Sequence, residues 1–474
     1  MTLVAGVDSS TQSCKVVVRD AETGALVREG RASHPDGTEV DPAAWASALR
    51  TAIAGAGGLD DVAAVAVGGQ QHGMVCLDAS GEVVRPALLW NDTRSAPQAR
   101  RLVEEMGGAA ACAEELGSVL VASMTSTKLR WMAEHEPEHA ARTHRVLLPH
   151  DYLSHHLDAD RSSFFTDRGD ASGTGYFSTR TGAWDHALVE QALGHDLELP
   201  QVAAAPNAVM GRTAAGAVLA AGTGDNMAAA LGVTLGPGDV SLSIGTSGVA
   251  AMVSETRTAD PSGLVTGFAD ATGRYLPMAT TLNAARILEF GARVLGVDHA
   301  GLAELALAGR PGAGGVTLLP YLDGERTPDR PEARATLHGM SSRTGREDIA
   351  RACVEGLLCS LADGVAALER ATGTAAERIL LIGGGAQSEA VRRLAPAVLG
   401  RPVLVPAPAE YVALGAARQA AWALSGEDEP PAWALAGARQ YEAEPTPGVL
   451  EAYRTLRDRT AGWSRPPAGA HPQR

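Results

Sequence analysis

Lysine is almost missing from this chain. Of 474 residues only Lys15 and Lys128 carry an ammonium group, and neither follows a glycine. A Walker A loop sets its lysine directly after a glycine to reach the phosphates, so that route to nucleotide binding is closed. A basic surface is missing too: the formal net charge is -15, whereas a nucleic-acid surface needs clustered cations to replace the counterions around phosphates. The five cysteines are scattered, odd in number and without C-x-x-C spacing. That pattern excludes a disulfide framework and a cysteine zinc site, and leads us to expect a reducing, cytoplasmic setting. No apolar run approaches the ~20 residues of a membrane span, and no basic segment leads into a long apolar run at the start. Aromatic residues make up only 4% of the chain, against 45% hydrophobic residues and 54 glycines. Small aliphatic cores joined by tight turns are the expectation, as in a soluble α/β protein.

The length exceeds what one hydrophobic core normally organises, so two domains with a cleft between them are expected. The opening "TLVAGVDSSTQSCKVVVRDAETGALVREGRAS" reads as three short strands in a meander. "DPAAWASALRTAIAGAG" has helical spacing, "VAAVAVGGQQHGMVCLD" is a buried strand entering a glycine loop, and "RRLVEEMGGAAACAEELG" is helical again. The breaker "GPGD" (Gly236 to Asp239) precedes "VSLSIGTSGVAAMVS", a strand, turn and strand that repeat the layout of the opening without its letters. Domains are therefore expected over 1–238 and 239–425, with a C-terminal helix "PGVLEAYRTLRDRT" and a disordered Pro/Gly/His tail within 426–474. "EDIARACVEGLLCSLADGVAALERA" reads as a long amphipathic helix, and "RILLIGGGAQSEAVRRLAPAVLGRPVLVP" as strand, glycine turn, helix and strand.

Several motifs could carry chemistry, each with a structural alternative. In "AGTGDNMAAALG", Asp225 and Asn226 are the only strongly polar side chains among glycines and alanines. Such a pair either caps a helix or sets a catalytic carboxylate at a helix N-terminus beside a ligand. The turns "IGTSG" (Ile244 to Gly248) and "IGGGAQS" (Ile382 to Ser388) follow strands and could receive an anion, though tight turns need glycine anyway. "VGGQQHGMVCLD" and "LLWNDTRS" bring Gln71, His72, Trp90 and Asn91 out beside strand ends, a mixture that suits a ligand with many hydroxyls. A Rossmann fingerprint and the protein-kinase marks are absent. "HEPEH" (His135 to His139) matches the letters of a zinc-protease helix, but Pro137 opposes that helix by roughly 3 kcal/mol, so a helix end is expected instead.

Taken in order, "GVDSSTQSCKVVV", "GGQQHGMVCLD", "PALLWNDTRS", "SMTSTKLRWMAEHEPE", "LLPHDYLSHHL", "TDRGDASGTGYF", "GTGDNMAAALG", "SIGTSGV" and "LIGGGAQSEAVRRLAPAVLGRPV" resemble the successive blocks of the FGGY carbohydrate kinases, over residues 1 to about 425. Ser123 to His135, with Lys128 and Trp131, fits that family's first signature, and "LLWNDTRS" and "TDRGDASGT" are most like its xylulokinase branch. The resemblance implies an α/β fold of two ribonuclease H/actin-like ATPase domains flanking a catalytic cleft, with ATP in it. It further implies that Asp8 lies near the transferred phosphate and its Mg²⁺, with Ser10 and Thr11 beside it. Gly245, Thr246 and Ser247 would cup the ATP phosphates, and Gly383, Gly384, Gly385, Gln387 and Ser388 would lie near the adenosine. Gln71, His72, Trp90, Asn91 and Asn226 would hold the sugar, with Asp225 as the base.

The implied activity is phosphorylation of a ketopentose, D-xylulose first; ribulose, gluconate or glycerol are the alternatives within the family. An actin-like ATPase that phosphorylates no small molecule is the alternative outside it. Expected partners are sugar and ATP, with no nucleic acid and no membrane, and a homodimer is the assembly to test. Three departures stand out: Gln71 where the branch usually has Met, Ser10 where the family commonly has glycine, and Cys353 in the second signature, near Ala335 to Glu355.

Overall fold

Period-two alternation builds the first sheet. In the strand Leu3–Ser9, Leu3, Ala5 and Val7 enter one core with Trp45, Leu49 and Ala52 of the helix Pro42–Gly55. Val4 turns to the opposite core, against Ala413, Ala416, Ala417 and Ala420 of the helix Tyr411–Ser425. Successive side chains of a strand face opposite ways, so a strand apolar at every position needs cover on both faces. The computed structural model describes residues 1–161 and 164–463; the tail expected after the last helix lies outside the described residues.

Leu3–Ser9 pairs antiparallel with Ser13–Asp20, which pairs antiparallel with Leu26–Ser33. On its other side it runs parallel to Val62–Gly69, followed by parallel Val218–Ala220 and an antiparallel edge, Val209–Arg212. The second sheet repeats this order and these directions. Val240–Ile244 pairs antiparallel with Gly248–Met252, which pairs with 278–281; on the other side lie parallel Ile379–Ile382, parallel Val403–Val405 and antiparallel Arg439–Tyr441. The repeated strand-turn layout in the sequence is thus a repeated sheet topology, which gives a two-domain α/β fold.

The compact units are not sequential. Among the described residues, those within 1–235, 253–277 and 409–435 form the first, and those within 236–252, 278–408 and 436–463 form the second. Against the division expected at 238, the helix Tyr411–Ser425 packs on the first sheet. A Cβ on Gly6 would lie 2.0 Å from the Ala413 carbonyl oxygen, and one on Gly415 would lie 1.7 Å from that of Ala228. Backbone meets backbone here, which is why this helix is built of alanine and glycine.

Two local expectations are corrected. "RRLVEEMGGAAACAEELG" forms two helices, Ala96–Glu105 and Ala109–Leu116, because Gly107 and Gly108 take φ of 94° and 100° and break the run. Pro137 does end the helix Thr125–His135, but it then opens another, Pro137–Arg142, at the position where its missing N–H is harmless. The strand, glycine turn, helix and strand expected around "IGGGAQS" are present, with Gly384–Gln387 as a 3₁₀ turn and the helix from Glu389. All five cysteines are buried and unpaired. Among the described residues no helix is long and apolar enough to cross a membrane.

Candidate active site

Register places the polar residues of the first unit together. Asp8 pairs with Gly68 of the parallel neighbour, and Thr223 pairs with the same Gly68 from the other side. The three chain segments therefore end in one row, and ligands of α/β sheets bind outside the carboxyl ends of such strands. Past Gly69 the chain enters the Gln70–His72 loop. Past Thr223 it enters the helix Asp225–Gly232.

Asp225 occupies the first turn of that helix, after Gly224 as the capping residue, and no side chain caps it. The capping alternative is therefore not the role its carboxylate plays. Asn226 Nδ2 donates to Asp225 Oδ1 at 2.9 Å and to Gln71 Oε1 at 2.8 Å, so the three predicted residues form one hydrogen-bonded group. A Cβ on Gly224 would lie 2.8 Å from Gln71 Cγ, so only glycine lets the loop and the helix meet. Asp225 is half-buried, and burial, then the charges of Asp8 and Asp170, push its carboxyl up to about 7 against the relief from Asn226. Beside it, Gln71 Nε2 and both side-chain polar atoms of Gln70 are buried without a hydrogen-bond partner among the described residues. Buried amides are nearly always paired, so unpaired ones lining a site mark ligand-binding capacity.

Asp8 is buried, accepts a hydrogen bond from the Ser10 hydroxyl, and lies 3.3 Å from Lys15 Nζ. Burial raises its carboxyl above the ordinary value, while Ser10 and Lys15 oppose that shift. Ser10, a departure from the family pattern, thus binds Asp8 directly. Lys15 also pairs with Glu410. Burial works against its charge, but Glu410 and Asp8 hold it above the ordinary lysine range. Neither Lys15 nor Glu410 was singled out as a site residue. Hairpin register, which sets Lys15 opposite Asp8, was the signal that could have found the first; Glu410, 395 residues away from Lys15, had none.

His72 adopts φ 66°, in the left-handed region uncommon for a residue with a side chain. Its carbonyl accepts from Lys128 Nζ at 2.9 Å and from Thr125 Oγ1 at 3.3 Å, and its Nδ1 meets the Gly173 carbonyl at 2.7 Å. Backbone strain of this kind persists only where the surroundings over-determine it. Lys128 is fully buried, and burial pulls its ammonium down to about 7 against the charge of Asp92. It also donates to the Ser123 carbonyl. Lys128→Met is expected to destabilise the fold by about 1–3 kcal/mol, since it removes the hydrogen bonds of Lys128 to the His72 and Ser123 carbonyls; denaturant unfolding measures this. Trp90 is 47% exposed and donates from Nε1 to Thr11 Oγ1 at 2.8 Å, so these two predicted residues are paired with each other. Asn91 keeps Oδ1 buried without a partner among the described residues.

In the second unit Gly245, Thr246, Gly384, Gly385 and Ser388 line one cavity of about 790 Å³. Ser247 is not part of its lining; its hydroxyl bonds the Leu282 carbonyl at 3.4 Å. The remaining wall is largely apolar, from Leu288 of the helix Ala285–Leu295 and Ala303 and Leu307 of the helix His299–Ala308, with His299 and Glu304 also in the lining. None of these was singled out from sequence, because ordinary amphipathic helices supply them. Glycine turns after two strands, facing an apolar slot, can take a phosphorylated ligand with a flat base.

Comparison with known proteins gives the family of the chain. A xylulose kinase of Streptomyces coelicolor is 46% identical over 463 residues, 95% of this chain and 92% of that protein. The crystal structure of xylulose kinase from Bifidobacterium adolescentis superposes with a TM-score of 0.91 at 51% identity, covering 96% of this chain and 99% of that one. Plasmodium falciparum glycerol kinase shares the fold, with a TM-score of 0.85 at 18% identity and coverage of 97% and 98%. The N-terminal domain of the FGGY family of carbohydrate kinases matches residues 3–232 and its C-terminal domain matches residues 240–424. On these matches, and with one sheet topology built twice, the chain belongs to the FGGY family of carbohydrate kinases.

Proposed function

We propose that this kinase transfers the γ-phosphate of ATP to a hydroxyl of D-xylulose, giving D-xylulose 5-phosphate and ADP, with Asp225 as the general base. The observation that carries the reading is the group formed by Asp225, Asn226 and Gln71 beside the unpaired amides of Gln70 and Gln71. Amides that both donate and accept suit a polyhydroxylated ligand, and the relatives named above supply the sugar. As the sugar hydroxyl attacks phosphorus, its proton passes to Asp225. A base whose pKa lies near working pH is the most effective, which fits a carboxyl raised to about 7.

Gln71, His72, Trp90, Asn91 and Asn226 would orient the sugar. Gly245, Thr246, Gly384, Gly385 and Ser388 would receive ATP, the apolar wall taking the adenine, and Ser10 and Thr11 would lie near its γ-phosphate. Mg²⁺ prefers one or two carboxylates plus phosphate oxygens and waters. Asp8 meets that demand, and among the described residues no cluster of three ligating side chains offers a cage of its own, which suits an ion that arrives with the nucleotide. When bound, Mg²⁺ neutralises charge on the phosphates.

The test is ADP release with D-xylulose against ribulose, gluconate and glycerol. The highest kcat/KM is expected for D-xylulose, whereas ADP release that no sugar stimulates would restore the actin-like ATPase alternative. Gln71→Met removes the acceptor for Asn226 and is expected to shift KM for D-xylulose or the ranking among ketoses. Unchanged kinetics with every ketose would remove Gln71 from the pocket.

A further inference from the structure

The segment "TDRGDASGT" and the histidine of "LLPHDYL" have no role in the chemistry above, yet they form a buried polar cluster tied to both sides of the sugar site. Thr223, two residues before Asp225, donates from Oγ1 to Asp167 Oδ2 at 2.7 Å. Asp167 also accepts from the N–H groups of Gly169 and Asp170, both at 2.9 Å, and so caps the short helix Arg168–Ala171. Asp170 Oδ2 lies 2.7 Å from His150 Nδ1. His150 Nε2 lies 3.1 Å from Asp151 Oδ1, and Asp151 Oδ2 accepts from the Leu148 N–H at 2.8 Å. His150 and Asp170 are wholly buried, and Asp151 and Asp167 nearly so.

The other end of the same segment holds the sugar-binding loop. The Gly173 carbonyl receives His72 Nδ1, and a Cβ on Gly173 would lie 2.7 Å from that imidazole. Residues 167–174 thus bridge the turn that presents Asp225 and the loop that presents His72.

Charge in the cluster is one-sided. The ionisable groups acting on His150 are Asp151 on its own helix, Asp170 in the 168–171 helix and Asp167 at its cap; Tyr176 lies near Asp151 and Asp170, and Asp170 in turn acts on Asp225. Two glycines approach His150 closely, Gly69 against its backbone and Cβ and Gly222 against its ring. Three carboxylates thus face one group able to be a cation. Although burial disfavours its charge, Asp151 and Asp170 hold the imidazole protonated, raised to about 9.

We propose that His150, as the cation of this buried cluster, is a positioning residue: it locks residues 167–174 so that Asp225 and His72 are held at a fixed separation around the sugar. The proposal rests on Asp225 being the base. Burial already raises the carboxyls of Asp151 and Asp170 to about 6; without the imidazolium between them they lose the ion pairs that tie their two helices together, so the short helix would shift and both attachments would move with it. A displacement near 1 Å can lower a rate by about a hundredfold without a change in any reacting group.

Two substitutions separate charge from shape. His150→Gln is expected to lower kcat about 10- to 100-fold with KM for ATP unchanged within about twofold. His150→Lys, which keeps a cation, is expected to restore kcat to within about fivefold of wild type. A kcat for His150→Gln within about twofold of wild type, or a His150→Lys variant no better than it, would overturn the proposal. Should either variant fail to fold, Thr223→Val cuts only the link to Asp167. It is expected to lower kcat with circular dichroism and KM for ATP unchanged, and an unchanged kcat would again overturn the proposal. The Asp225→Asn variant, assayed alongside, keeps the two failures apart. Activity in that variant refutes the base; its inactivity together with fully active His150→Gln refutes only the positioning role.

Discussion

Asp225→Asn is expected to lower kcat at least about a hundredfold while leaving ATP affinity unchanged, because an amide of the same shape cannot take the hydroxyl proton. Asn226 can still donate to the remaining oxygen, so the group with Gln71 keeps its geometry. Residual kcat above a tenth of wild type in a coupled ADP-release assay would refute the assignment. The wild-type profile carries its own signature. Asp225 has its carboxyl raised to about 7, so kcat/KM is expected to fall as pH drops below about 7, where the base becomes protonated.

The same shift bears on stability, with a definite sign. A carboxyl whose folded-state pKa exceeds its unfolded value contributes stability that is full below the unfolded value and lost as pH rises through about 7. At pH 8 the native protein therefore holds a partly buried, unfavourable anion at Asp225. Asp225→Asn should melt at a higher temperature than wild type at pH 8, and the gap should close towards pH 4. Thermal unfolding at both pH values measures this, and equal melting temperatures at pH 8 would contradict it. A loss of activity with a gain in stability separates a functional carboxylate from one that only caps a helix, where Asn serves as well as Asp and stability would hardly change.

Asp8→Asn is the second large effect expected. Phosphoryl transfer depends on alignment and neutralisation of charge, and removal of one preorganised electrostatic group commonly costs about 10²- to 10³-fold in rate. Asp8 is held by the Ser10 hydroxyl and Lys15, and Lys15 is shared with Glu410. Loss of the Asp8 charge should therefore also let Lys15 move fully towards Glu410. The expected outcome is a kcat about a hundredfold lower together with a higher Mg²⁺ requirement, read from initial rates across Mg²⁺ concentrations. The same Mg²⁺ dependence as wild type would remove Asp8 from the metal's surroundings.

Much of the fold was readable without coordinates, because the deciding forces act over a few residues. The apolar run in Leu3–Ser9 and the glycine turn between Val240–Ile244 and Gly248–Met252 each follow from short-range sterics and from which side chains avoid water. Local reasoning failed where local signals compete. Gly107 and Gly108 broke a helix that periodicity alone would continue, and Pro137 both ended one helix and began the next.

By itself, the sequence determined the strands, the helices, the doubled sheet layout and the candidate polar residues, Asp8, Gln71, His72, Asp225 and Asn226 among them. Tertiary structure alone decided what those residues touch. It set Glu410 against Lys15, brought the helix Tyr411–Ser425 onto the first sheet, gave residues 167–174 a grip on both Thr223 and His72, and raised the carboxyl of Asp225. The physical reason is one of range. Propensity and periodicity are written in neighbouring residues, whereas strand register, burial and the charge felt by a buried group are sums over residues that only the folded chain brings together.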